Sequence, residues 1–334
     1  MPNPLRVLCY GLGPIGCEVV RALMRRPGFA IVGAVDIDPS KVGQDVGQIA
    51  GLDRSLGAPV SDSLEAALRS GGADIVTHTT GSYLEQVGPQ LRALMAAGLN
   101  VVSTCEELAY PQAQHPDLAR DLDLLAKTHG VTILGTGVNP GYVFDSLILN
   151  ATATCQEVTA VRGWRVLDAG KRRLPLQQKV GAGLSRDAFQ QLVDAGKVRH
   201  VGLAESVRMV ADSLGWALER TEEITEGVVA EEDVQTEYLL VKAGHVAGVH
   251  QIGRGWSGGR EVISLDLKMY VGAKQASDRI QIDGLPSIDL EIHGGTRGDP
   301  ATAGIVVNAA PLVVAAAPGL ATMASLPPVH YWRG

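Results

Sequence analysis

Residues 5–16 read LRVLCYGLGPIG: a short apolar run, then a glycine-rich turn, with the helical spacing of CEVVRALM (17–24) directly behind it. Leu5, Val7, Leu8, Cys9 and Tyr10 have the length of a strand and too little room for a helix. Strand, tight turn and helix are the context in which a G-x-G-x-x-G match acquires meaning; the match alone is weak. Gly11 permits the sharp turn, Gly13 lets backbone approach a pyrophosphate, and Gly16 lets helix and strand pack closely, with Pro14 and Ile15 completing the loop. The helix that follows offers free N–H groups and partial positive charge to phosphates. The stretch therefore predicts the opening strand and phosphate turn of a dinucleotide-binding domain.

The next elements extend that reading. AIVGAV (30–35) is a second buried strand ending at Asp36, about 20 residues beyond the glycines, where a carboxylate can accept the adenosine ribose hydroxyls. Ile37 follows where an arginine would meet a 2′-phosphate, so NAD is favoured, while Lys41 permits some NADP use. Residues 74–80 form another strand, and its polar end at Thr80 and Gly81 should face the nicotinamide side, because ligands sit at the carboxyl ends of such strands. His78, among apolar neighbours, reads as a packed strand residue. A helix over 84–97 is closed by Gly98.

NVVSTCEE (100–107) carries the most chemistry after the glycine turn. Adjacent acids cannot both enter one pocket, so either one of Glu106 and Glu107 faces the site while the other is solvated or caps a helix, or both begin an exposed helix where negative charge suits the dipole. An acid beside an apolar nicotinamide pocket has its pKa raised by desolvation, as general acid–base work requires. The motif leaves both acids open; Glu106, closer to the strand end, is the first choice. A strand over 131–134 then runs into GTGVNPG (135–141), whose glycines suggest backbone against a cofactor ring or substrate. Asn139 and Pro140 there could equally be turn residues.

From about residue 143 the βα alternation stops. The sequence predicts a strand over 158–167, a linker over 177–184, helices over 185–195 and 204–218, and then strands over 236–241, 246–252, 262–271, 279–282 and 288–292. Short turns between these strands predict an antiparallel sheet, and the whole an α+β domain. TAGIVVNAAPLVVAAA (302–317) is apolar nearly all round and predicts a buried helix that returns to the first domain. The expected division is 1–143 completed by 301–334, with a substrate-binding and dimerisation domain over 144–300.

Composition excludes several classes. With 334 residues, 46% of them apolar, the chain can bury two cores. A net charge of −7 without a basic block argues against nucleic acid. No uninterrupted apolar run reaches the roughly 18 residues of a membrane span, and the Met-Pro-Asn-Pro start leaves no place for a signal peptide. Cys9, Cys17, Cys105 and Cys155 are scattered without a C-x-x-C, which predicts a reducing, cytoplasmic protein with neither disulfide nor bound metal.

GLGPIG, VVSTCEEL, TGVNPG, the block from Asp168 to Gly183 and GGTRGDPATA (294–303) together resemble the 2,4-diaminopentanoate dehydrogenases and the related native amine dehydrogenases. The resemblance runs almost end to end. It implies a Rossmann domain plus an open-sheet α+β domain, as in dihydrodipicolinate reductase, and a homodimer. The paired-histidine and D-A-P-S-G-T signatures of that reductase itself are absent. It further implies an NAD(P)-dependent reductive amination in which Glu106 matches the catalytic acid. Trp164 and Leu167, in the strand Arg162-Gly163-Trp164-Arg165-Val166-Leu167, hint at a substrate less polar than a diamino acid, with Arg165 and His250 as further pocket candidates. The competing readings are a 2,4-diaminopentanoate dehydrogenase and, from another class, a non-catalytic NAD-binding regulator.

Overall fold

The computed structural model describes residues 3–69 and 71–334. The chain divides into two compact units, Met1–Ser146 with Arg297–Gly334, and Leu147–Thr296. The first unit opens with β1 (Leu5–Tyr10), α1 (Pro14–Met24), β2 (Phe29–Val35), α2 (Val46–Ile49), β3 (Val60–Ser61), α3 (Leu64–Leu68), β4 (Ile75–His78), α4 (Leu84–Ala96), β5 (Asn100–Ser103), α5 (Pro116–Thr128) and β6 (Thr132–Gly135). After α6 (Ser146–Thr152), the second unit contains β7 (Glu157–Asp168), α7 (Leu174–Lys179), α8 (Arg186–Asp194), α9 (Leu203–Ser213), β8 (Arg220–Val229), β9 (Val234–Gln235), β10 (Leu240–Val241), β11 (Val246–Ser257), β12 (Arg260–Tyr270), β13 (Ser277–Leu285) and β14 (Ile288–His293). The chain returns to the first unit with α10 (Gly298–Ala315) and β15 (Gly319–Ala321).

The first unit is a parallel sheet in the order β15-β6-β5-β4-β1-β2-β3. The order reverses beside β1, and in doubly wound sheets ligands bind at the carboxyl ends next to such a reversal. Leu8, Val76, Val101 and Ile133 from the strands pack with Leu84, Leu91, Leu94 and Met95 of α4 and with Leu122 and Ala126 of α5. α10 has the length and composition to cross a bilayer. In this structure it packs against α1, β4, β5 and β6, with Val306, Val307, Ala309, Ala310 and Val313 buried.

The second unit is a six-stranded sheet, β14-β13-β7-β12-β11-β8. It is mixed, not purely antiparallel, because β7 pairs in parallel with β12. β7 leaves through α7, α8 and α9 before the later strands form, so it is inserted between β12 and β13 with its direction already set. Three local readings are also corrected. The expected linker over 177–184 begins inside α7, and the strand expected over 236–241 is a ribbon of β9 and β10. Its turn is held by Thr236 Oγ1, which accepts the N–H groups of Tyr238 and Leu239. The helix expected to reach 218 ends at Ser213, because Gly215 adopts φ +72°. β8 is not anticipated by the sequence reading: its three glutamates, Glu222, Glu223 and Glu226, obscure a strand that has a neighbour on one side only.

Candidate active site

Five strand ends assemble the site in the first unit. At the end of β1, Gly11 has φ +91°, and a Cβ there would lie 3.0 Å from Thr80 and 3.1 Å from the Thr79 carbonyl oxygen. A Cβ on Gly16 would lie 2.0 Å from the Gly11 carbonyl oxygen, so only glycine lets α1 start this close to the turn. Around Gly13, by contrast, a Cβ would meet nothing within 4 Å. α1 begins with Gly13 as its cap residue, no side chain capping it and Pro14 following. The result is an open, uncapped helix N-terminus suited to a phosphate.

At the end of β2, Asp36 is buried. Its Oδ2 accepts the Leu12 N–H at 2.7 Å and Lys41 Nζ at 3.0 Å, and its Oδ1 accepts the Asp38 N–H at 2.9 Å. Burial works against the charge, but these hydrogen bonds and the lysine hold the carboxyl below the usual range. Ile37 beside it is 87% exposed. The acid thus also ties the glycine turn to β2, a role the sequence did not indicate.

At the end of β4, Thr79 Oγ1 donates to the Gly11 carbonyl at 2.8 Å. His78 is fully buried, with Nδ1 2.8 Å from Ser103 Oγ on β5 and Nε2 2.8 Å from Gln90 Oε1 on α4. Because Gln90 Oε1 only accepts, Nε2 carries the proton and Nδ1 accepts from Ser103. Burial pushes the His78 pKa down to about 4, so the ring is neutral. Thr80 Oγ1 joins the cluster, 2.6 Å from Gln90 Oε1.

At the end of β5 the acid pair starts a short 3-10 turn, Glu106–Ala109. Glu107 is buried, and its Oε2 accepts the Leu84 N–H at 2.7 Å and lies 3.1 Å from His115 Nε2. It therefore caps the N-terminus of α4. Glu106 is half-buried on the same turn. The turn is pressed against β6, since a Cβ on Gly135 would lie 2.3 Å from the Leu108 carbonyl carbon.

Beyond β6, Val138 N–H meets Thr302 Oγ1 of α10 at 3.3 Å, and Gly141 N–H donates to Asp145 Oδ2 at 2.7 Å. Asn139 is buried, yet both its amide nitrogen and its carbonyl oxygen have no hydrogen-bond partner among the described residues, and nor has Thr136 Oγ1. Gly11, Gly13, Pro14, Ile15, Gly16, Asp36, Thr80, Gly81, Glu106, Asn139 and Pro140 thus all lie at or just beyond the carboxyl ends of strands of one sheet. His115 and Gln90 join this edge without any sequence motif to announce them.

The four pocket candidates of the second unit do not converge. Pairing of β7 with β12 and of β12 with β11 places Trp164 and His250 on one face of the sheet, Arg165 and Leu167 on the other. Trp164 lies under the Arg279 guanidinium, 5.6 Å from ring centroid to carbon, and His250 Nε2 is 3.0 Å from Asp266 Oδ2. Leu167 packs into the apolar cluster of Val249, Met269 and Phe189. Arg165, 1% exposed, points to the helix-covered face.

Two family descriptions match the chain: 2,4-diaminopentanoate dehydrogenase C-terminal domain over residues 142–334, and dihydrodipicolinate reductase, N-terminus, over residues 5–105. A 2,4-diaminopentanoate dehydrogenase of Acetoanaerobium sticklandii is 31% identical, over 97% of this chain and 93% of its own length. An amine dehydrogenase of Streptomyces virginiae is 24% identical, over 97% and 96%. The structure of an amine dehydrogenase from Mycobacterium smegmatis superposes with a TM-score of 0.88 at 27% identity, covering 99% of this chain and 98% of that one.

Proposed function

The chain belongs to the family of 2,4-diaminopentanoate dehydrogenases and amine dehydrogenases and is a nicotinamide-dependent oxidoreductase acting on amines; on that premise we propose that it catalyses reversible reductive amination of a ketone or aldehyde by ammonia, with Glu106 transferring the protons. The observation that carries this assignment is the division of labour in the acid pair. Glu107 accepts the Leu84 N–H and faces His115, which assigns it to holding α4, and Glu106 is the acid that matches the catalytic position of the family.

The open helix start at Gly13 and the Asn139 amide, without a hydrogen-bond partner among the described residues, suit a dinucleotide. Gly11, Gly13, Pro14, Ile15 and Gly16 would hold the pyrophosphate, Asp36 the ribose, and Thr80, Gly81, Asn139 and Pro140 the nicotinamide end. NAD is the preferred cofactor on this reading, since Asp36 repels a 2′-phosphate and Ile37 brings no charge to meet one. Lys41, 3.0 Å from Asp36, leaves NADP usable. Family resemblance adds a cytoplasmic homodimer to the proposal.

When bound, the nicotinamide supplies the hydride that reduces the substrate's C=N carbon. Glu106 takes a proton from ammonium, freeing the nitrogen lone pair to add to the carbonyl carbon. It then returns a proton to the carbinolamine hydroxyl, which leaves as water. As a carboxylate it also lowers the energy of the resulting iminium cation. Oxidation of the amine runs through the same proton transfers reversed.

The test is NADH and NADPH consumption with ammonia and a panel of ketones, aldehydes and 2-amino-4-oxopentanoate. Glu106→Gln should lower kcat by about 10²–10⁴-fold, the usual contribution of a general acid–base, with NADH affinity within about twofold of wild type. Full activity in that variant would refute the role. Tight NADH binding without turnover on any carbonyl would favour a regulator, and turnover confined to the amino-oxo acid would favour 2,4-diaminopentanoate dehydrogenase.

A further inference from the structure

His78 is fully buried at the end of β4, so each polar atom of its ring needs a partner. Its Nε2–H is taken by Gln90 Oε1 of α4 at 2.8 Å, and Thr80 Oγ1 lies 2.9 Å from the same nitrogen. The hydrogen bond at one ring nitrogen sets which tautomer is present, so Nδ1 is an acceptor. Ser103, its register partner on β5, donates to it from Oγ at 2.8 Å. That commits the one proton of the hydroxyl, and the Ser103 oxygen accepts the backbone N–H of Cys105 at 3.1 Å.

Cys105 is the cap residue of the Glu106–Ala109 turn, and its side chain makes no cap hydrogen bond. The N–H before it, that of Thr104, donates to the His78 backbone carbonyl at 2.9 Å. His78 therefore holds both residues that precede Glu106, Thr104 through its own backbone and Cys105 through its ring and Ser103. The direction of each bond matters. With the proton on Nδ1 instead, the ring would donate to Ser103 Oγ and the hydroxyl proton would lose its acceptor. Burial keeps His78 neutral, and Gln90 keeps the proton on Nε2, so the network has one sense. A fully satisfied polar network in a dry interior rigidifies what it holds.

Replacing such a network by apolar groups of the same shape can be nearly neutral for stability. What apolar groups do not reproduce is the fixed position of the Cys105 N–H. A misplacement of about 1 Å can cost about 10²-fold in rate, so the position of this turn bears on what Glu106 can do. We propose that His78 is a positioning residue for proton transfer at Glu106, acting through Ser103 and the Cys105 N–H. This rests on the amination reading. Glu106 remains the group that exchanges protons, and His78 sets where that acid stands.

The test separates the two sides of the ring. An asparagine amide reaches about as far as Nδ1 and a glutamine amide about as far as Nε2, so His78→Asn keeps an acceptor for Ser103 and His78→Gln keeps a partner for Gln90. Ser103→Ala cuts the same link from its other end. With ammonia and a carbonyl that wild type aminates, His78→Gln and Ser103→Ala should each lower kcat by about 10–100-fold, with the NADH dissociation constant from fluorescence titration within about twofold of wild type. His78→Asn should run at least about fivefold faster than His78→Gln, whatever the order of their Tm values. The double variant His78→Gln/Ser103→Ala should fall no further than the slower single one, because both changes remove one link. Equal kcat in His78→Asn and His78→Gln, wild-type kcat in Ser103→Ala, or additive losses in the double variant would overturn the role. If wild type aminates no carbonyl, the amination reading fails and this role with it. Turnover that is lost in Glu106→Gln but not slowed in the His78 and Ser103 variants refutes this role alone.

Discussion

Among single residues, the informative ones are buried titratable groups whose partners decide their charge. His78 shows this with a measurable consequence. Its folded pKa is depressed to about 4 from 6.5, so the unfolded chain takes up the proton first as pH falls. The stability it contributes is present above pH 6.5 and is lost between there and about 4. The linkage is worth about 3 kcal/mol at its full extent. In urea unfolding from pH 4 to 8, wild type should lose that much more stability on acidification than His78→Gln; parallel curves would show that the ring titrates normally. From the sequence, His78 was legible as a packed strand residue. Its partners were not, because Ser103 and Gln90 lie 25 and 12 residues away. Glu106 was legible only as one of a pair, since neighbouring acids in a sequence carry no sign of which way each turns.

At the scale of elements, α4 and the turn after β5 are joined through Glu107. The α4 N-terminus has no side-chain cap from its own cap residue, Tyr83, and takes the Glu107 carboxylate from 23 residues away instead. Glu107→Ala would leave the Leu84 N–H and His115 without that acceptor, at a cost of about 1–3 kcal/mol. Thermal denaturation should show the loss, with a smaller fall in kcat than Glu106→Gln causes. A stable but inactive Glu107→Ala enzyme would exchange the roles of the two acids. Elements with a strong local signal were readable: the glycine turn, and Gly98 closing α4 at φ +75°. β8 and the mixed pairing of β7 were not. A glutamate-rich stretch does not look like a strand until a neighbour pairs with it, and strand direction depends on where the chain re-enters the sheet.

Across the whole molecule, the last residues complete the first unit. Trp332 packs edge-on against Phe29 at 4.8 Å between ring centroids, its backbone N–H donates to Asn308 Oδ1 at 3.1 Å, and its backbone carbonyl accepts from Arg26 Nη1 at 3.0 Å. The C-terminal segment thus fastens α10 to the start of β2. Trp332→Ala should lower stability by about 2–4 kcal/mol, toward the low end of aromatic truncations because the ring is half-buried; an unchanged Tm would mean that the segment only rests on the unit. The sequence by itself determined the α/β dinucleotide fold with its α+β partner domain, and the family. Those signals are local: a glycine that must adopt φ +91°, one that must lack a Cβ, apolar periodicity, and motifs of consecutive residues. The tertiary structure alone decided which acid of the pair holds the start of α4 and which pocket candidates share a face. Those outcomes depend on pairing register and on partners far apart in the chain, and no single stretch of residues encodes them.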